Sequence, residues 1–354
     1  MRLPEAAERS FARHETFHPR YSWFRKAYSH VAIDGGIFSR PDAPVEIGVG
    51  KNMVRAIRFW GTATRLIIDD PHNARGREAR CVPTRRGRAL FGEGGWDPYM
   101  EDPGTLWLLH WLLLAPKKSR LPVWWLAFNE FNAVEFAEDD LEAAVSVLLD
   151  AVPEWHKPHP KSIGKDISAL LRTYAPADRT SRSRIDDLLD CPLRELNLLS
   201  RSPATGKLRF ALGPKPTLPS EIVAYAVLDY VALTAVQGST VTMSRLSHGS
   251  GAPGRVFKLN ESELTDALRP SIDGDEALGL ATPTGAVQLT WSDDPALIAT
   301  RILDRYYQPA MPMGSLSCAG PAGDQPSGHS PLEVVDGHGR PLDKSDSRVP
   351  AEVG

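Results

Sequence analysis

In the segment from Lys51 to Arg65, KNMVRAIRFWGTATR, the residues Lys51, Arg55, Arg58, Thr62 and Arg65 recur four or three positions apart. At about 100° per residue they share one narrow helix face, with Met53, Val54, Ile57, Trp60 and Thr64 opposite. One side is a cationic ridge and the other belongs in a core. Pro41 to Ile47 comes before it as a short segment, and Gly48-Val49-Gly50 punctuates the turn between the two. Helix, tight turn, basic helix is the layout by which a helix-turn-helix offers its second helix to a DNA groove.

The pattern continues on the C-terminal side. Leu66, Ile67 and Ile68 read as a short strand, Pro71 to Gly76 as a hairpin loop and Arg80 to Val82 as the return strand. Thr84 then caps a helix running through Leu90 and Phe91. These elements predict a winged helix. From Lys51 through Arg88, ten Lys or Arg face three acidic residues, a local charge of +7 in a chain whose net charge is −3. A basic segment on an acidic protein is the footprint of a polyanionic partner. The candidate DNA contacts are Lys51, Asn52, Arg55, Arg58, Arg65, Arg85, Arg86 and Arg88, with Asn52 near the helix start suited to a base edge. The competing reading is a solvated helix that packs on its own domain.

At 354 residues, 42% of them hydrophobic, the chain is long enough for two or three domains with real cores. Cys81, Cys191 and Cys318 lie far apart and show no zinc or disulfide spacing, which fits a reducing cytoplasm. The first residues are charged and polar, unlike a signal peptide. The longest apolar runs, Leu106 to Ala115 and Leu121 to Phe128, fall short of the roughly 20 residues of a membrane span.

The fold class expected is mainly α with small β wings, as tandem winged-helix or helix-turn-helix domains. Residues 1–152 would form an N-terminal domain holding the basic winged helix, with a first helix at Tyr21 to Ile33 and a buried central helix around Leu106 to Leu113. Residues 153–213 would form a second winged-helix-like unit: a helix from Ile163 to Tyr174, a basic loop at Ser181 to Arg184, a short helix opened by Pro192, and a strand at Lys207 to Leu212. Residues 214–308 would form a C-terminal α+β unit with strands near Leu278 to Thr282 and Ala286 to Trp291. Residues 309–354, with 14 Pro or Gly among 46 and few large apolar side chains, would be a disordered tail.

Several strings in one order resemble a bacterial family, the SspB-like proteins of the single-strand DNA phosphorothioation system. They are FARHETF (11–17), RYSWFRK (20–26), IGVGKNMV (47–54), GWDPY (95–99), LWLLHW (106–111), FNEF (128–131), DCPL (190–193) and PGRVF (253–257). Ser22 stands where the family more often has glycine. The resemblance spans about residues 10–307. It implies a nickase that cuts one strand of duplex DNA beside a cysteine desulfurase, an ATPase and a sulfur-transfer enzyme. Together these replace a non-bridging phosphate oxygen with sulfur and mark DNA for phage defence.

Cutting a phosphodiester requires an activated nucleophile, stabilisation of extra negative charge and commonly a divalent metal, here expected to be Mg. His14 is the candidate general base or acid, Glu15 a metal ligand or orienting carboxylate, and Arg20 the cation for developing charge. The alternative reading is structural, with Glu15 and Arg20 paired and His14 capping the first helix. His14 to His18 also spells H-E-x-x-H, but Pro19 pushes His18 out of helical conformation and argues against a zinc peptidase. Asp97 and Glu101, with Asp102 beside them, form a candidate metal site whose alternative is helix capping. Glu130 is weighed in the same way. His110 reads as a core histidine and the tryptophans from Trp107 to Trp125 as packing. The string from Ser247 to Arg255 reads as a loop that either meets a phosphate or acts as a hinge. A non-catalytic DNA-reading adaptor remains the second functional reading.

Overall fold

The computed structural model describes residues 1–73, 79–176, 191–283 and 285–308. Its first half is built on helices α1 (Leu3–Ala6), α2 (Tyr21–Ile33), α3 (Ala43–Ile47) and α4 (Lys51–Ala63). Gly48, at φ +72°, ends α3 in the left-handed region, where a side chain would be strained. The chain then turns directly into α4. Gly61 lets α4 cross α2 closely, because a Cβ there would lie 2.5 Å from the Ala27 Cβ. Strands β1 (Ile67–Asp69) and β2 (Cys81–Pro83) pair antiparallel, Ile67 opposite Pro83. Thr84 accepts the Gly87 N–H and caps α5 (Arg85–Phe91), as its sequence position predicts.

Helix α6 (Pro103–Leu114) is buried from Gly104 to Leu114, as a segment apolar on every face must be. At its centre His110 Nδ1 meets the Tyr174 hydroxyl at 2.8 Å and Nε2 donates to the Val256 carbonyl at 3.0 Å. Trp107, Trp111, Trp124 and Trp125 are all buried, the last two on α7 (Pro122–Asn129), so these indoles pack the core. Helices α8 (Glu138–Asp150) and α9 (Pro160–Tyr174) follow, then a 3-10 turn at Pro192–Leu196 and the antiparallel pair β3 (Leu199–Arg201) and β4 (Leu208–Phe210).

The last elements are α10 (Ser220–Leu233), β5 (Thr240–Thr242), α11 (Met243–His248), α12 (Pro253–Phe257), α13 (Glu261–Asp273), β6 (Leu278–Ala281), β7 (Gln288–Trp291) and α14 (Pro295–Tyr307). The sheet order is β5-β7-β6, antiparallel throughout. Strands β6 and β7 match the expected pair, whereas β5 was not foreseen. The expected loop from Ser247 to Arg255 is corrected: it is the end of α11, a short turn and the start of α12. Ser247 is buried there, and Gly254 packs so closely that a Cβ would sit 2.5 Å from the Ser247 Cα. The protein is therefore mainly helical with small sheets. Residues Met1–Pro309 form one compact unit with a continuous apolar core. The expected boundaries near 152 and 213 fall between elements, after α8 and after β4. The tail from residue 309 with Cys318, the basic loop at Ser181 to Arg184 and part of the loop between β1 and β2 lie outside the described residues.

Candidate nucleic-acid interface

The cationic face of α4 is not a ridge on a convex surface but one wall of a cleft. The cleft, of about 730 Å3, is lined by Arg55, Arg58 and Thr62 from α4, by Glu8, Arg9, Ser10, Arg13 and Glu15 from the segment before α2, and by Phe38 and Arg120. Val54 and Phe59 supply its apolar floor. Five arginines against two carboxylates give a strong excess of positive charge. Arg9, Arg13 and Arg120 carry no sequence periodicity with α4, and the sequence reading missed them.

Partners hold the inner arginines. Arg58 Nη2 donates to Asp69 Oδ1 at 2.8 Å, which ties α4 to β1. Arg120 Nη1 donates to the Thr62 hydroxyl at 2.7 Å and stands 3.8 Å from Asp69 Oδ2. The two guanidiniums thus converge on one carboxylate from distant parts of the chain. The outer pairs are looser: Arg55 Nη1 to Glu15 Oε1 and Arg120 Nε to Glu8 Oε2 are both 3.7 Å. Exposed pairs of that length contribute little to stability, so Arg55 keeps most of its five donors for a ligand.

The edge formed by Arg13 and Glu15 is a turn with three non-glycine residues in the left-handed region: Ala12 at φ +52°, Glu15 at +52° and Thr16 at +66°. Such conformations persist only where surrounding contacts impose them. Here the contact is Asp166 on α9, which is 3% exposed. Its Oδ1 accepts the Ala12 N–H at 2.8 Å and His14 Nε2 at 2.7 Å. Burial pushes the Asp166 carboxyl above its ordinary range, and the His14 and Ala12 hydrogen bonds oppose that rise.

The predicted catalytic residues separate accordingly. His14 is 1% exposed, packed against Phe59, Trp60 and Trp124, and its Nδ1 has no hydrogen-bond partner among the described residues. It lies behind the cleft wall, neither open to solvent nor capping α2. Glu15 stands in the wall and pairs loosely with Arg55 rather than with Arg20. Arg20 precedes α2, places its guanidinium 5.7 Å from the Trp23 ring and does not line the cleft. The H-E-x-x-H string is a turn, not a helix, so His14 and His18 do not share a helical face.

The predicted DNA contacts divide as well. Lys51, Asn52, Arg55, Arg85 and Arg88 are exposed. Arg65 needs correction: α4 ends at Ala63, Arg65 turns away at φ +57°, and its guanidinium donates to the carbonyls of Ala115 and Lys117. Burial also lowers its pKa. Arg86 turns inward over the Tyr225 ring and hydrogen-bonds its hydroxyl. Arg88 donates to the Pro83 carbonyl. The Asp97 carboxylate accepts the N–H groups of Glu101 and Asp102, while Asp102 caps α6 and accepts the Tyr306 hydroxyl. That geometry is capping, the alternative weighed for Asp97 and Glu101. Glu130 accepts the Ser250 hydroxyl. No group of three His, Cys, Asp or Glu able to hold a metal occurs among the described residues.

Comparison with known proteins places this architecture. A family model described as "Protein of unknown function (DUF4007)" matches residues 11–307. A structure described as magnesium ion-bound SspB is 39% identical, with 86% of this chain and 90% of that one covered and a TM-score of 0.81. A second SspB crystal structure, also 39% identical over the same shares, has a TM-score of 0.79. No curated protein matches. With a family match over most of its length and such likeness to solved SspB structures, the chain belongs to the DUF4007 family and is SspB-like.

Proposed function

We propose that this protein binds duplex DNA through the arginine-lined cleft and nicks one strand, preparing the backbone for phosphorothioate modification. The observation that carries the proposal is the convergence of five arginines from three separate parts of the chain on one cleft. Phosphate recognition asks for such planar donors in fixed positions. The strand-cutting step is supported by the likeness to SspB, and with it the setting: a cytoplasmic defence system with a cysteine desulfurase, an ATPase and a sulfur-transfer enzyme as partners. No helix among the described residues is long and apolar enough to cross a membrane.

We read α3, α4 and the β1–β2 hairpin as a winged-helix-type unit. The C-terminal order α10, β5, α11, α13, β6, β7, with β5 beside β7, has winged-helix connectivity too. Its α13, in the recognition position, bears Glu261, Glu263, Asp266 and Asp273 against Arg269, a net negative helix that repels phosphate. DNA binding is therefore assigned to the N-terminal cleft.

A magnesium ion in this class of reaction usually keeps several waters and binds through one or two carboxylates plus substrate phosphate. Glu8 and Glu15, the two carboxylates that line the cleft, each loosely paired with an arginine, are the residues that would hold it. When bound, the ion supplies Lewis-acid stabilisation of developing charge. Arg55, Arg58 and Arg120 orient the phosphate and offset its charge.

The test is incubation of supercoiled plasmid with the protein, magnesium and the partner enzymes. Open circles are expected, and each arginine removed from Arg55 and Arg58 should reduce the salt slope of binding by about one. Absence of nicking with every divalent ion would refute the enzymatic step. A non-catalytic DNA-reading adaptor is the second reading, favoured by the burial of His14 behind the wall. It predicts tight binding without strand breaks and indifference of binding to Glu15→Ala.

A further inference from the structure

We infer that the cleft receives a single nucleotide drawn out of the duplex, its phosphate among Arg55, Arg58 and Arg120 and its base against Phe38. This deepens the DNA-binding reading above and rests on it. A recognition helix that reads a groove must protrude, because the major groove is only about 12 Å wide and must admit the whole helix. Helix α4 does the opposite: its arginine face looks onto a wall formed by residues 8–15, with Phe38 beside it. A recess of about 730 Å3 between those walls matches one displaced nucleotide better than the rounded flank of a duplex.

The lining suits that guest. Its volume lies in the range of small-ligand pockets, roughly 300–1,000 Å3. A site for phosphate alone would need only the cations, yet Phe38 and Val54 also line this cleft, and Phe38 is partly accessible. An unpaired base stacks on an aromatic ring without regard to sequence, which matches a site whose charged side chains are mostly cations. Arg58 and Arg120 are preset by Asp69, so their positions do not depend on the ligand. The strained turn at 12–16, pinned by Asp166, likewise holds the opposite wall in place. Drawing out a nucleotide costs least where pairing is already absent.

The test compares two DNA duplexes of one sequence, one fully paired and one with a single bulged nucleotide, by anisotropy titration of the full chain at fixed salt. The bulged duplex is expected to bind roughly tenfold tighter, the order of one base–aromatic stack. Phe38→Leu, which keeps an apolar side chain but removes the ring, should abolish the preference. Phe38→Tyr should retain it. Arg120→Ala should weaken both duplexes. Equal affinity of the unmodified protein for the two duplexes, or a preference that survives Phe38→Leu, would overturn the inference while leaving DNA binding standing. Failure to bind either duplex would overturn both.

Discussion

Replacing Asp166 by alanine removes a side chain that touches no ligand and should nonetheless disable the cleft. The carboxylate holds one partly buried and one buried donor, the Ala12 N–H at 2.8 Å and His14 Nε2 at 2.7 Å. Each donor left without a partner costs roughly 1–3 kcal/mol, so the two together cost about 2–6 kcal/mol. The turn it pins has three left-handed non-glycine residues, each stored at roughly 1–3 kcal/mol. Losing the anchor lets these relax and displaces Arg13 and Glu15. Urea unfolding of Asp166→Ala should therefore show a loss of about 3 kcal/mol, in the lower half of that range because relaxation of the turn recovers part of it. DNA affinity of the folded fraction should drop as well. Asp166→Asn keeps an acceptor for Ala12 and should lose about half as much. A change below about 1 kcal/mol in the alanine variant, with binding intact, would refute the claim that this carboxylate builds the edge of the cleft.

Three further outcomes follow from the packing. Burial lowers the His110 pKa to about 4 from the ordinary 6.5, so the unfolded state takes up the proton first. Stability contributed by neutral His110 is full above 6.5 and is lost as pH falls through the folded value, by roughly 3 kcal/mol. Urea midpoints at stepped pH should fall across this window, and more steeply than in His110→Gln. In α5, Gly87→Ala would place a Cβ 2.1 Å from the Leu66 carbonyl oxygen, a backbone atom that cannot move alone. Thermal melts should show a loss of about 3 kcal/mol. Arg65→Ala should leave the salt slope of DNA binding unchanged while lowering stability by roughly 1–3 kcal/mol, because its guanidinium serves two carbonyls. A slope reduced as much as in Arg58→Ala would contradict that assignment.

The local pattern by itself determined where α2 and most of α4 run, the turn at Gly48, the cap at Thr84, the all-buried α6 and the strands β6 and β7. Each depends on a signal carried by neighbours in sequence: a 3.6-residue period, a hydroxyl before a helix, an uninterrupted apolar run. Periodicity told which side of α4 is charged, but not what faces that side. Only the tertiary structure decided this, by laying residues 8–15 across the arginine face and by bringing Arg120 to Thr62 and Asp166 to His14, 58 and 152 residues away. It also drew Arg65 and Arg86 inward, because carbonyls beyond α6 and the Tyr225 hydroxyl needed donors that no helical wheel displays. Partners so distant leave no periodic trace, since nothing in a short window records the opposite wall. A basic face is therefore legible in the chain, while its being a recess rather than a ridge belongs to the fold.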